Sequence, residues 1–289
     1  MGFGESRAEA ADQVLIDTHY HLEAAANPIR VAESIESNRI LTVAVTSLPS
    51  TYESLRVHVG RYRYIRPALG LHPLLAAQNA TQLEEFDALK RTTSFIGEVG
   101  LDFSREGRSS RQDQIAVFRA LLESIRGLGH FLTVHSRGAE GVVLDLVQQV
   151  GVGPVVFHWY SGPLGTLDEL LTLGHYCSVN PAMIRSAKGQ QIVARIPPER
   201  VLTETDGPYV SGQGRAATPT DVALVVEYLS SVWSASPQKV DRMVQVNFRR
   251  LLPSRNAPDG RYVPLAGSPG RLAHSADRID PAGRRDSGR

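Results

Sequence analysis

Six side chains scattered along the chain have the right chemistry to hold divalent cations: His19, His21, Glu98, His135, His158 and Asp206. His19 and His21 lie two residues apart, so on an extended strand both imidazoles face the same side, which is half of a chelate. Cys177 is the single cysteine, which excludes an internal disulfide or a thiolate zinc site, so any metal must be held by imidazoles and carboxylates. Four imidazoles and two carboxylates exceed what one four- to six-coordinate ion needs once water and substrate are admitted. The set therefore predicts two divalent ions, with Glu98, central in the series, as the bridge. Two ions about 3.5 to 4 Å apart lower the pKa of a shared water and hold the attacking and leaving oxygens of a phosphoryl displacement, so hydrolysis is the expected chemistry. A mixed imidazole and carboxylate shell leaves Mg, Mn and Zn all open, with Fe and Co beside them.

Other residues could work around such a centre. Asp206 combines a ligand's charge with the basicity to take a proton from an activated water. Glu204, two residues earlier and on the same strand face, could orient Asp206, another ligand or a substrate hydroxyl, and Asp17 could do similar work or cap a backbone group. Arg137 stands two residues beyond His135, and its planar fork suits the paired oxygens of a phosphate. Trp159, Tyr160, Tyr20 and Tyr209 are aromatics beside the same positions and could stack on unpaired bases. Asp102 and Arg105 are further candidates near the same positions.

These residues need a scaffold that gathers them, and the hydrophobic pattern supplies one. Eight short β-rich runs alternate with amphipathic stretches: 14–18, 41–47, 64–71, 95–101, 131–134, 154–157, 176–179 and 200–205. The residues at their C-terminal edges are His21, Ser47, His72, Glu98, His135, His158, Asn180 and Asp206, at steps of 26, 25, 26, 37, 23, 22 and 26 residues. Each step is the length of one strand, one helix and two loops, and the long one is assigned to a helix over about 109–128. Between the runs, Ile115, Phe118, Leu122 and Ile125, and likewise Val222, Val226, Leu229 and Trp233, repeat at helical spacing. A further helix is predicted from Ser236, with Pro237 in its first turn and Val240, Val244 and Phe248 on one face. Polar residues recurring at strand ends favour a barrel mouth over a doubly wound sheet. The fold class is therefore α/β, a (β/α)8 TIM-type barrel with an extra C-terminal helix.

Composition agrees and sets limits. With 289 residues, 42% hydrophobic and 21% charged, the chain is long enough for one such barrel and excludes a fibrous or disulfide-stapled protein. The expected division is a leader over residues 1–12, the hydrolase barrel over 13–252 and a tail over 253–289. That tail carries seven Arg against four Asp, five Pro and five Gly, and too little apolar area to offset ordering, so it is expected to be disordered. The rest holds 24 basic against 26 acidic residues, which excludes a broad phosphate-neutralising surface. No run approaches the roughly 18 apolar residues of a membrane span, and the N-terminus lacks the blocks of a secretion signal. A cytoplasmic protein without membrane contact is expected.

The ordered motifs resemble the TatD family of metal-dependent deoxyribonucleases within the amidohydrolase-type barrels. They are Ile16-Asp17-Thr18-His19-Tyr20-His21-Leu22, Gly70-Leu71-His72-Pro73, Ile96-Gly97-Glu98-Val99-Gly100-Leu101-Asp102, His135-Ser136-Arg137, His158-Trp159-Tyr160-Ser161-Gly162 and Glu204-Thr205-Asp206-Gly207-Pro208. The resemblance implies that His19, His21, Glu98, His135, His158 and Asp206 bind metal, that His72 contacts the phosphate or sugar, and that the activity is phosphodiester hydrolysis of DNA, typically from the 3′ end. Because the body is not basic, single-stranded or frayed ends are the expected substrate. Trp159, residues 178–183 and Gly207 look most similar to QatD, the TatD-like component of the Qat anti-phage system, which implies protein partners in a defence complex. Tyr20, Trp159-Tyr160 and Glu23 replace the Cys, Cys-Phe and Asp common in the family, which puts substrate preference in doubt rather than catalysis. Two other readings remain. One is a binuclear amidohydrolase acting on a small amide, lactone or phosphoester, against which no Lys ends the fourth run to form the usual carboxylated bridge. The other is a subunit that acts mainly by binding proteins.

Overall fold

In the computed structural model the described residues are 14–76 and 80–252. The expected leader and tail, and with them the assignment of disorder to the tail, lie outside these. The elements run β1 (Ile16–Tyr20), α1 (Pro28–Asn38), β2 (Leu41–Ala44), α2 (Pro49–Val59), β3 (Ile65–Pro67), β4 (Leu69–Leu71), α3 (Pro73–Ala76), α4 (Ala80–Leu89), β5 (Phe95–Gly100), α5 (Arg111–Ile125), β6 (Phe131–His135), α6 (Glu140–Val150), β7 (Val156–Phe157), α7 (Leu164–Thr172), β8 (Tyr176–Val179), α8 (Pro181–Arg185), α9 (Ala187–Arg195), β9 (Val201–Thr203), α10 (Val222–Val232) and α11 (Pro237–Leu251). All strand pairs are parallel, in the orders β1-β2-β3 and β4-β5-β6-β7-β8-β9. This is the α/β barrel the spacing predicts, with helices on the outside because parallel strands need crossovers. Among the described residues no helix is long and apolar enough to cross a membrane.

The third expected strand is divided at Ala68 into β3, which pairs with β2, and β4, which pairs with β5. Beyond β2 the chain crosses the break, and Thr46 exchanges backbone hydrogen bonds with β5, its N–H to the Gly97 carbonyl and its carbonyl to the Glu98 N–H, both at 3.1 Å. The crossing passes so close to Gly70 that a Cβ there would sit 1.6 Å from the Thr46 carbonyl oxygen. Glycine is the only residue that fits.

The other seam, between β1 and β9, is closed largely by side chains. Thr18 Oγ1 donates to the Thr203 carbonyl at 3.0 Å, and Thr203 Oγ1 donates to the Ile16 carbonyl at 2.5 Å. Buried Asp17 accepts from the Thr205 N–H at 3.0 Å and from Thr205 Oγ1 at 2.5 Å. Beyond the strands, the Asp206 N–H reaches the His19 carbonyl at 2.9 Å. Asp17 is thus a barrel-closing acceptor, the capping role among the two the sequence allows it.

The helix start expected at Ser236 is present, and two other helices begin by the same chemistry. Asn27, Asn180 and Ser236 cap α1, α8 and α11 with their side chains, and each is followed by proline at the first helical position. The long step holds a shorter helix than expected: α5 begins at Arg111 after a 3-10 turn at Arg108–Ser110, leaving a loop that carries Asp102. The extra helix α11 covers the N-terminal end of the barrel. Its Phe248 packs 6.3 Å from Phe95 and 5.3 Å from Phe131, the first residues of β5 and β6. Its Asn247 donates to the carbonyls of Pro198 and Val201, both at 2.8 Å. With that end closed, the opposite end is left open for chemistry.

Candidate metal centre

Two irregularities in the strands aim side chains into the mouth. The β1–β2 register shifts between Asp17 and Tyr20, around His19, and β5 shifts against both neighbours between Ile96 and Val99, around Glu98. A bulge in a strand turns a side chain out of its regular alternation. Glu98 accordingly lies inside β5 rather than at its edge, where the sequence pattern put it.

The centre is organised on this one carboxylate. Glu98 Oε1 lies 2.5 Å from His135 Nδ1 and 2.9 Å from His158 Nε2. Its Oε2 lies 3.2 Å from His21 Nε2 and 3.6 Å from both His19 Nε2 and His72 Nε2. Asp206 Oδ1 stands 3.7 Å from His21 Nε2 and 3.8 Å from His19 Nε2. All six residues expected from the sequence are therefore gathered at one place. His72, expected beside the metals rather than among them, is gathered with them. Two compact groups of potential ligand atoms share Glu98: His19, His21 and Glu98, and His72, Glu98 and His135.

Each ring is held by its second nitrogen or its neighbours. His19 Nδ1 is 3.0 Å from Thr133 Oγ1, and His21 Nδ1 is 3.4 Å from Glu23 Oε1. Asp102, a further candidate whose part the sequence left open, lies 2.9 Å from His135 Nε2. Its own amide donates to buried Gln114 at 2.8 Å. The signal for it was its place four residues after Glu98, at the end of the motif that runs from Ile96 to Asp102. Glu204, fully buried, accepts from Ser178 Oγ, from Asn180 Nδ2 at 3.0 Å and from the Trp159 N–H at 3.0 Å, and lies 3.7 Å from His158 Nδ1. A carboxylate or hydroxyl on the far nitrogen fixes an imidazole's orientation toward a cation.

The donor set fits divalent metal on an observation independent of any likeness. His19 Nε2 and His158 Nδ1 are buried without a hydrogen-bond partner, a state that costs about 1–3 kcal/mol per group. For His19 a cation among Nε2, Glu98 and Asp206 would remove that cost.

Electrostatics follow from burial and proximity. Burial opposes charge on Glu98, yet His72, His135 and His158 hold it well below the usual carboxylate range. Burial, aided by His158, lowers His19 to about 3. Burial acts the same way on His21, but Glu23, Glu98 and Asp206 outweigh it and raise the ring to about 10. Burial raises Asp206 to about 7, near neutrality, and Asp17 to about 8.

The cleft above these residues has a volume of about 620 Å³, and Arg137, Trp159 and Tyr209 line it. Trp159 is 38% exposed and Tyr209 64% exposed, so both rings are accessible. Tyr160 and Tyr20, expected at the mouth with them, are buried at 1% exposure and do not reach it. Trp159 has φ of 38°, which breaks the strand alternation. Tyr160 turns into the core instead, its hydroxyl donating to the Pro163 carbonyl at 2.6 Å and its ring 6.5 Å from Phe157. Tyr20 packs with Leu22, Ala32 and Ile35.

Comparison with known proteins agrees with this geometry. Deoxyribonuclease TATDN3 of Homo sapiens is 27% identical over 264 residues, covering 84% of this chain and 96% of its own. An uncharacterized metal-dependent hydrolase of Methanocaldococcus jannaschii is 29% identical over 252 residues, covering 83% of this chain and 99% of its own. Among solved structures, the TatD homolog YjjV of Escherichia coli superposes with a TM-score of 0.74 at 21% identity, over 82% of this chain and 97% of that one, a likeness of fold. Residues 16–253 match the family described as TatD related DNase, so the chain belongs to that family of metal-dependent hydrolases.

Proposed function

We propose that this protein is a divalent-metal-dependent deoxyribonuclease that trims single-stranded or frayed DNA from the 3′ end, and that two ions are held side by side across Glu98. The observation that carries this reading is the position of Glu98, one oxygen facing His135 and His158 and the other facing His19, His21 and His72. One ion would be held by His19, His21, Glu98 and Asp206, and a second by Glu98, His135 and His158, with His72 nearby. When bound, such ions supply Lewis-acid charge and lower the pKa of a water.

The chain's own residues do the rest. Asp206, whose carboxylate faces the same space as Glu98, His19 and His21, is placed to take the proton from the attacking water. The water oxygen bonds to phosphorus as the bond to the 3′ oxygen breaks, and that oxygen leaves with the proton Asp206 accepted, which leaves a 3′ hydroxyl on the shortened strand and a 5′ phosphate on the released nucleotide. Glu204 holds His158 and the backbone of Trp159 in place. Arg137 receives a phosphate at the rim, and Trp159 and Tyr209 offer faces on which unpaired bases stack, each worth about 1–3 kcal/mol and indifferent to sequence. Near-neutral charge outside the tail favours a strand end over long duplex. The likeness of Trp159, residues 178–183 and Gly207 to QatD supports a role in anti-phage defence with protein partners in the cytoplasm.

The test is cleavage of 3′-labelled and 5′-labelled single-stranded DNA by metal-loaded protein, with an EDTA control and His135→Ala. Loss of terminal nucleotides from the 3′-labelled strand, abolished by EDTA and by the variant, is expected. Cleavage that survives EDTA, or full activity in His135→Ala, overturns the mechanism. Metal binding without any DNA cleavage turns the assignment toward a small-molecule hydrolase or a binding subunit.

A further inference from the structure

A second groove, of about 430 Å³, opens beside the catalytic cleft and is lined by Gly138, Ser161, Gly162, Leu164, Lys188 and Gln191, among others. Ser161 belongs to both cavities, and Gly138 follows Arg137 of the first, so the two are continuous across one residue. We propose that this groove is a phosphate subsite for the nucleotide adjoining the one at the metals, with Lys188 as its cation. The proposal rests on the deoxyribonuclease reading of the neighbouring centre and extends it along the strand.

Three features support the assignment. Lys188 is exposed and forms no ion pair among the described residues; its Nζ donates to the Ser161 carbonyl at 2.5 Å, which holds it at the junction. Arg137, exposed on the cleft side of the same junction, forms none either. Two unneutralised cations therefore flank the residue the cavities share, as a strand carrying a phosphate on each side of one nucleotide requires. The groove's single carboxylate, Glu140, is buried and turned inward, its Oε1 accepting from the Gly138 N–H at 3.3 Å and from Ser161 Oγ at 3.5 Å. Gly162 lies directly over it, where a Cβ would come within 2.7 Å of Glu140 Cγ. The groove thus presents the Lys188 cation and the Gln191 side chain, while the Glu140 carboxylate is engaged by Gly138 and Ser161. Trp159, exposed and lining the catalytic cleft with Arg137, offers a face on which the intervening base can stack.

The experiment compares the full chain with Lys188→Met and Lys188→Arg on a deoxydinucleotide with one phosphodiester and on a deoxyhexanucleotide, by steady-state cleavage and by fluorescence anisotropy of labelled hexamer across salt concentrations. In Lys188→Met the ratio of kcat/KM for hexamer over dimer falls about fivefold, and the slope of log affinity against log salt shrinks by about 0.7, the value of one single-strand phosphate contact. Lys188→Arg restores both. A hexamer-to-dimer ratio and salt slope equal to wild type in Lys188→Met overturn the subsite. Hexamer binding that depends on Lys188 without cleavage of either substrate overturns the nuclease reading while sustaining the subsite.

Discussion

The carboxylate of Glu204 accepts a hydrogen bond from the backbone N–H of Trp159 at 3.0 Å. The same oxygen lies 3.7 Å from His158 Nδ1, so one buried group governs two consecutive residues of the mouth. Trp159 occupies the left-handed region, unfavourable for a bulky residue, and this bond is part of what holds it there. Ser178 and Asn180, from β8 and the start of α8, lock Glu204 in turn.

Glu204→Gln should separate positioning from folding. The amide keeps the shape but places a donor where an acceptor is required. Metal affinity is expected to fall about 10- to 100-fold and kcat with it, while the far-ultraviolet circular dichroism spectrum stays unchanged. Calorimetric metal titration checks this, and wild-type affinity in the variant would remove Glu204 from the support of His158.

Metal loading should stabilise the fold, because the cation binds a preformed cluster of buried donors that the unfolded chain lacks. At one hundred times the dissociation constant the gain is about 2.7 kcal/mol, or a rise in Tm of about 5–10 °C for a domain of this size. Differential scanning calorimetry with and without EDTA measures it. In Glu98→Gln the shared carboxylate is lost and the rise should largely disappear.

Acid sensitivity should arise away from the metals as well. Burial, with Arg200 nearby, lowers the His175 pKa to about 4, and its Nδ1 accepts from the Val155 N–H at 3.2 Å, which requires the neutral ring. The unfolded chain takes up this proton near pH 6.5 and the folded one only near 4. The contribution is therefore complete above pH 6.5 and is lost as pH falls through that window, by at most about 3 kcal/mol. Urea midpoints at pH 7 and pH 5 in EDTA should differ less in His175→Gln than in wild type; an equal difference refutes the assignment.

Gly70→Ala should disrupt the crossing of β2 over β4, since the new methyl would meet the Thr46 carbonyl. Relieving that overlap requires backbone movement costing about 3 kcal/mol or more. The expected result is a lower urea midpoint, with metal affinity reduced because Glu98 bonds to the same carbonyl. A midpoint equal to wild type would mean that the crossing adjusts freely.

Much of this protein is legible in its residues. Local chemistry names the metal-binding types and their order, and period-two and period-3.6 patterns place strands and helices. Asn27, Asn180 and Ser236, each followed by proline, mark helix starts that need no distant partner. Even strand-end spacing follows from the geometry of a strand-helix unit, so the barrel is legible before any contact is known.

Only the tertiary structure decided which side chains share the mouth. Alternation along a strand predicts facing only while the strand is regular, and register shifts around His19 and Glu98, with the left-handed turn at Trp159, break it where the chemistry lies. Tyr160 therefore enters the core, whereas His72 comes within 3.6 Å of Glu98. The seams at Asp17 and Thr205 and at Gly70 and Thr46 join residues far apart in sequence, as does the packing of Phe248 over Phe95 and Phe131. Local propensity is blind to such contacts, because their energy exists only once the chain has closed on itself.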